Sequence, residues 1–391
     1  MRTRSLILAA LATAATARPA LAQGRLPSEV VTTIGGAFSS WRFSTAASQD
    51  SIAIEKVSQA ALPFSASFAV GAWTFDAGVA LSAGKLSLAS GRTIDLGGLT
   101  DLRVRAVGHL VGDRVLLVLG VNAPSGKTKL VGDEIDAVRV LGAPALRMPV
   151  ANLGIGPAGT AGLVFATRAG EWTVGVGGSF EARGKYSPIE SQIAGVALPT
   201  DLRPGNAVRA SLGLDRVFGS ARFSLLLATE VYSRDRIELQ APGGGVIATS
   251  YKLGPQLLAN AFLELGVPGF RTFTVTVADR YRTKFTGPSG TRAAGSSGNA
   301  LEVGIQGITG VAGRTGFFFR VDGWVDGGLE VDNTITTAAM NAVGVTLGLS
   351  IPAGRASVQP FLRGQVGKLD TGPLSTTATG FGAGLKLVFD R

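Results

Sequence analysis

Read two residues at a time, the chain sorts itself onto two faces. In "WTFDAGVALSA", Trp73, Phe75, Ala77, Val79, Leu81 and Ala83 share one face, and Thr74, Asp76, Gly78, Ala80 and Ser82 the other. In "FSLLLATEVY" the apolar set is Phe223, Leu225, Leu227, Thr229 and Val231, with Glu230 and Tyr232 opposite. "FFFRVDGWVDG" sets Phe317, Phe319, Val321 and Val325 against Arg320, Asp322, Trp324 and Asp326. The chain ends the same way, with Phe381, Ala383, Leu385, Leu387 and Phe389 alternating with Gly382, Gly384, Lys386 and Val388. A period of two is the signature of β-strands with unlike faces.

A soluble sandwich also alternates, with its apolar face turned inward. Two properties point to a membrane instead. The polar faces are rich in Gly, Ser, Thr and Ala, as suits a lumen wall. The chain is also apolar on average, with 46% hydrophobic residues, 55 glycines and mean hydropathy +0.31. Glycine or a charge nevertheless interrupts every later apolar run short of the roughly 20 residues a spanning helix needs. In lipid every backbone N–H and C=O must be satisfied internally, and without helices a closed barrel does this. The expected fold is all-β, a transmembrane antiparallel up-and-down β-barrel.

The start of the chain reads as an export signal. Met1 to Ser5 is basic, Leu6 to Ala17 is a short apolar run, and Ala20-Leu21-Ala22 is a small-residue cleavage site. Residues 1–22 are therefore assigned to a signal peptide and 23–391 to the barrel, with localisation in a bacterial outer membrane. Cysteine is absent, which removes disulfides and Cys-ligated metals. The formal charge of +10 falls to +7 without Arg2, Arg4 and Arg18. No block of like charges accompanies it, so export argues against nucleic acid and for basic loops near lipopolysaccharide or a basic lumen.

Short turns stand at 70–72, 111–113, 168–170, 218–220, 267–269, 313–315 and 352–354, and longer connections near 89–97, 124–151, 187–202, 240–247, 286–299 and 329–338. Outer-membrane barrels have this asymmetry, with tight periplasmic turns and long external loops. Aromatic residues gather at the short turns: Phe68, Trp73, Trp172, Phe218, Phe223, Phe270, Phe317, Phe361 and Phe389. Seven hairpins supply fourteen strands, 375–390 adds another, and residues 30–45 would make sixteen. If 24–48 is a periplasmic or plug segment instead, fourteen or twelve strands result.

The stretch "GVNAPSGKT" after "RVLLVL" imitates a phosphate-binding loop. That motif needs its first glycine where Val121 stands, and "KLVGDEID" offers no convincing helix start. With its surroundings, "IDLGGLTDLRVRAVGHLVGDRVLLVLGVNAPSGKTKL" resembles the phenol meta-pathway outer-membrane transporters, distantly like the long-chain fatty-acid transporter barrels. Gly98-Leu99-Thr100-Asp101 matches that family's Gly-Leu-Gly-Asp element, and Pro124-Ser125-Gly126 its Pro-Thr-Gly. Thr100 and Ser125 depart from the pattern. The resemblance implies uptake of small aromatic or hydrophobic compounds, and makes "APSGKTKL" a strand tip with its external loop.

Polar residues within the alternation are the candidate lumen lining: Arg103, Arg105, Arg209, Glu230, Glu302, Arg320, Asp322, Arg363 and Lys386. They would either act on a solute or pair to fill the interior. An enzyme of the Ser-His type needs a histidine base, and the single His109 stands beside a short turn. No catalytic motif, cofactor or metal site is expected. The expected function is a channel or transporter for small solutes; the alternative is a non-conducting structural or partner-binding barrel. Expected partners are outer-membrane lipid, lipopolysaccharide, the solute and the barrel-assembly machinery.

Overall fold

The computed structural model describes residues 31–390 apart from 50–51, 112–113, 194–195, 241–244, 294–295, 311–313, 328–329, 333–334, 337–338 and 371–374. The signal-peptide assignment lies outside the described residues. Sixteen antiparallel strands form one closed barrel. They are β1 (Val31–Gln49), β2 (Ile52–Val70), β3 (Trp73–Leu88), β4 (Thr93–Leu99, continuing as Leu102–His109), β5 (Val115–Ala123), β6 (Ala158–Ala169), β7 (Trp172–Arg183) and β8 (Ala207–Phe218). The series continues with β9 (Ala221–Tyr232), β10 (Gln256–Leu265), β11 (Phe270–Arg282), β12 (Gly298–Thr309), β13 (Gly316–Asp326), β14 (Ala339–Ala353), β15 (Ala356–Asp370) and β16 (Ser375–Asp390). Each strand pairs with its neighbour, and β16 closes on β1 from Val31↔Asp390 to Phe43↔Ala378. Residues 31–49 are thus a wall strand, which makes the count sixteen.

Parity separates the faces. Phe38, Leu62, Leu81, Leu163, Val176, Leu227, Leu347, Leu362, Phe381 and Leu385 point outward and are exposed. Such a belt on a closed barrel matches a hydrocarbon surround, since a charged side chain there costs about 2–4 kcal/mol. The short turns are tight where glycine permits it: Gly219, at φ +58°, reverses β8 into β9. Outward aromatics pack in pairs near these turns, including Phe68 on Phe75 at 5.3 Å and Trp172 on Phe223 at 6.3 Å. Phe361 is a correction. Its ladder partners Gly348 and Gly384 place it on the inner face, so it does not belong to the girdle.

Two prolines thin the wall beside the closing strands. Pro63 faces a gap in the β1–β2 ladder between Ile34↔Phe64 and Ala37↔Ala61. Pro360 faces a matching gap in β14–β15 between Gly348↔Phe361 and Ile351↔Val358. Neither has an N–H to give. Between them the outer surface is hollowed into a groove of about 780 Å³, bordered by Phe38, Leu62, Leu347, Leu362 and Leu385.

The long connections carry structure of their own. The stretch 89–97, expected as a loop, is mostly strand, because Thr93–Leu99 extends β4 along β3. Residues 186–193, 196–203, 235–240 and 246–251 form strands of a second sheet beyond the barrel rim, joined by Leu130–Val131. "KLVGDEID", expected to start no helix, leads into α1 (Glu134–Leu141). Glu134 and Asp136 in its first turn suit the positive helix end, and Arg139 the negative one.

Candidate functional site: a loop folded into the barrel

The ends of the 124–157 connection are tied to a defect in β4. Before Thr100 the inner-facing residues are Ile94, Leu96 and Gly98; after Asp101 they are Arg103, Arg105 and Val107. The face changes parity across Thr100-Asp101, as at a β-bulge. Asp101, 3% exposed, uses its carboxylate to gather three donors. These are Asn122 Nδ2 at 2.8 Å, the Gly126 N–H at 2.9 Å and the Ile155 N–H at 2.8 Å. The Leu102 N–H donates to Ser125 Oγ at 2.8 Å, and the Lys127 N–H to the Leu99 carbonyl at 3.0 Å. A side chain at Gly126 would collide with the Leu153 carbonyl and with Asp101. "GLTD" and "PSG" are therefore two halves of one clamp, and "GVNAPSGKT" is a loop root.

The body of the loop lies inside the barrel. Ala137, Val140 and Leu141 of α1, with Ala145, Leu146, Met148 and Leu153, are buried in one cluster with wall residues. The wall supplies Trp41, Val57, Leu86, Leu88, Ile94, Leu96, Trp324, Met340, Ala342, Leu369 and Ala378. Leu141 sits over Gly84, where any Cβ would strike it. Two indoles from opposite sides of this arc hold the short helical turn Pro144–Leu146. Trp41 Nε1 donates to the Leu146 carbonyl at 2.8 Å, and Trp324 Nε1 to the Ala145 carbonyl at 2.9 Å. The rings themselves meet edge to face at 6.1 Å. The Gln59 amide both donates to and accepts from the Val150 backbone, each at 2.8 Å.

All nine sequence-chosen residues have ladder positions on the inner face. Four of them join the inserted loop. Arg320 reaches Glu302 at 2.7 Å and Asp322 at 3.4 Å; Arg363 reaches Asp322 at 2.5 Å. Arg147, just past the short turn with φ +48°, bonds Glu302 at 2.8 Å and lies over Trp324 at 4.6 Å. Asp322 is 1% exposed and holds Arg320 and Arg363, whose side chains remain only partly buried. Arg209 and Glu230 face each other on β8 and β9. Glu230 also attracts Arg183 at 3.8 Å, and Arg183 lies over Tyr232 at 5.5 Å. Arg105 approaches Asp76 at 4.0 Å. Lys386 and His109 stand near the short-turn ends of β16 and β4.

Sequence reasoning missed Trp41, Arg147 and Arg183; it singled out Asp101 within "GLTD" but not its clamp on the loop. One signal was present: inner-face parity gives Trp41, Val57, Leu86, Ile94 and Leu96, which is too apolar a run for a wet wall.

The second sheet has its own charged knot. Lys185 reaches Asp201 at 2.8 Å and Glu238 at 3.1 Å, and Ser187 Oγ donates to Asp201 at 2.5 Å. The hydrogen bond from Lys185, then that from Ser187, holds the Asp201 carboxyl below its ordinary value. Burial pushes Asp235 the other way, opposed by the Gly205 N–H. Burial, with Asp235 beside it, pushes the Tyr251 phenol up to about 12.

Comparisons with known proteins return structures, not sequences. No protein-family profile matches the chain, and no curated protein matches it significantly. A TodX monoaromatic hydrocarbon channel, in a deltaS2 mutant, superposes with TM-score 0.45 at 7% identity, covering 94% of this chain and 91% of its own. OprB of Pseudomonas putida gives 0.47 at 10%, covering 93% and 94%. The CymD monoaromatic hydrocarbon channel gives 0.41 at 9%, covering 94% and 89%.

Proposed function

We propose that this chain is an outer-membrane channel for small solutes, exported with a cleaved signal peptide ending at Ala22. One observation carries the reading: the inner face is divided. The arc formed by β1–β4 and β13–β16 is packed against the inserted loop. The opposite arc, from β6 to β11, keeps half-buried polar side chains such as Thr160, Ser179, Arg209, Glu230 and Asn260 in reach of water. A loop that narrows a barrel without lining its whole wall sets the width of a passage. The "GLTD"/"PSG" resemblance supports small aromatic or hydrophobic compounds as the solutes. Lipid and lipopolysaccharide would surround the belt and rim, and the barrel-assembly machinery would insert it.

Conductance in planar bilayers tests the proposal. Discrete current steps from purified, folded protein are expected. Folded protein that never conducts would overturn it and favour the second reading, a structural or partner-binding barrel. That reading draws on the depth of the loop's packing and on the sheet beyond the rim. N-terminal sequencing of the mature protein should begin at Gln23.

A further inference from the structure

We infer that the passage selects small organic anions, aromatic carboxylates above all; this rests on the channel reading and names the solute class for it. The two arcs treat charge differently. Beside the inserted loop, Arg147, Arg320 and Arg363 are held by Glu302 and Asp322. On the open arc positive charge outruns its partners. Arg183, Arg209 and Arg282 gather about Glu230, while Arg183 pairs with Glu181 on its own strand and reaches Glu230 at 3.8 Å. Among the described residues of this arc, Arg209, Arg280 and Arg282 make no ion pair within 4 Å. On this arc Arg209 Nη2 is a buried N–H donor with no acceptor.

A surplus of guanidinium groups along a passage with low-dielectric walls raises the local concentration of anions. The planar fork of arginine fits a carboxylate with two parallel hydrogen bonds. Tyr232, Leu226 and Phe262 share this arc's inner face, by their ladder positions on β9 and β10. Phe262, half-buried, gives a ring somewhere to lie while its carboxylate meets the arginines.

The test uses the full-length protein in planar bilayers at neutral pH, with benzoate and benzylammonium as probes. They share a ring and differ in charge, so lipid leakage is small for both. Under a potassium chloride gradient the reversal potential should take the sign of anion selectivity. Benzoate should carry at least about three-fold more current than benzylammonium. Arg209→Gln with Arg280→Gln should bring the reversal potential toward zero, and Lys85→Gln, on the outer face beside Asp95, should not. Equal benzoate and benzylammonium currents, or cation selectivity, in a conducting and heat-modifiable protein would overturn the anion inference and leave the channel standing. No current at all would overturn the channel reading, and this inference with it.

Discussion

Asp101 does more for this molecule than its size suggests. It terminates one half of β4 and fastens both ends of a 34-residue connection, 124–157, through Gly126 and Ile155. Exchanging it for Asn turns one acceptor oxygen into a donor facing donors, which costs about 1–3 kcal/mol. Asp101→Asn is expected to leave the barrel assembled while amide exchange across 134–148 speeds up; unchanged exchange would show that the loop is held elsewhere. Asp201 allows a pH test. Its folded value is lowered, so its stabilising contribution is complete above the ordinary carboxylate range near 4 and is lost as pH falls below it. Asp235 opposes this, because its raised value favours the protonated fold. Exchange protection of 196–203, corrected for intrinsic rates, should weaken below about pH 4. The Asp201→Asn variant should lose that component.

At the scale of elements, α1 depends on a missing side chain in the wall. Leu141 occupies the space above Gly84. Gly84→Val forces the helix off the wall, an overpacking that costs about 1–3 kcal/mol. The expected result is a protease-sensitive 134–148 segment and larger conductance. Adding Leu141→Ala returns the space and should restore protection; failure of the double variant to recover would mean that the two do not pack as described. This helix was illegible in the sequence for a local reason. Asp133 makes no side-chain cap, and eight residues are too few to show a period. The rim strands were hidden differently: Pro188 and Pro199 sit inside them and read as loop.

For the molecule as a whole, the division of faces is the property on which everything else depends. Leu163→Arg and Leu347→Arg place a charge on the outer belt, where each costs about 2–4 kcal/mol at mid-depth. Ser179→Arg places the same charge on the open inner arc, where it is half-buried and wet. Heat-modifiable gel mobility should report folded barrel for Ser179→Arg and a large loss for the two leucine variants. Equal folding of all three would contradict the assigned faces.

The sequence by itself determined the barrel. A period of two fixes which face each residue takes, and that rule is local, so Arg103, Glu230, Asp322 and Lys386 could be assigned to the inner face without a structure. Turn chemistry and connection lengths are local as well, but they left sixteen, fourteen or twelve strands open. The pairing of 31–49 with both β2 and β16 made the count sixteen. What fills the barrel was decided by tertiary structure. Trp41 meets Leu146 across 105 residues, and Trp324 meets Ala145 across 179. No periodicity links such positions. An inner-facing tryptophan is a defect in a wet wall and an anchor in a packed one, and the difference lies in whether a distant loop arrives to cover it.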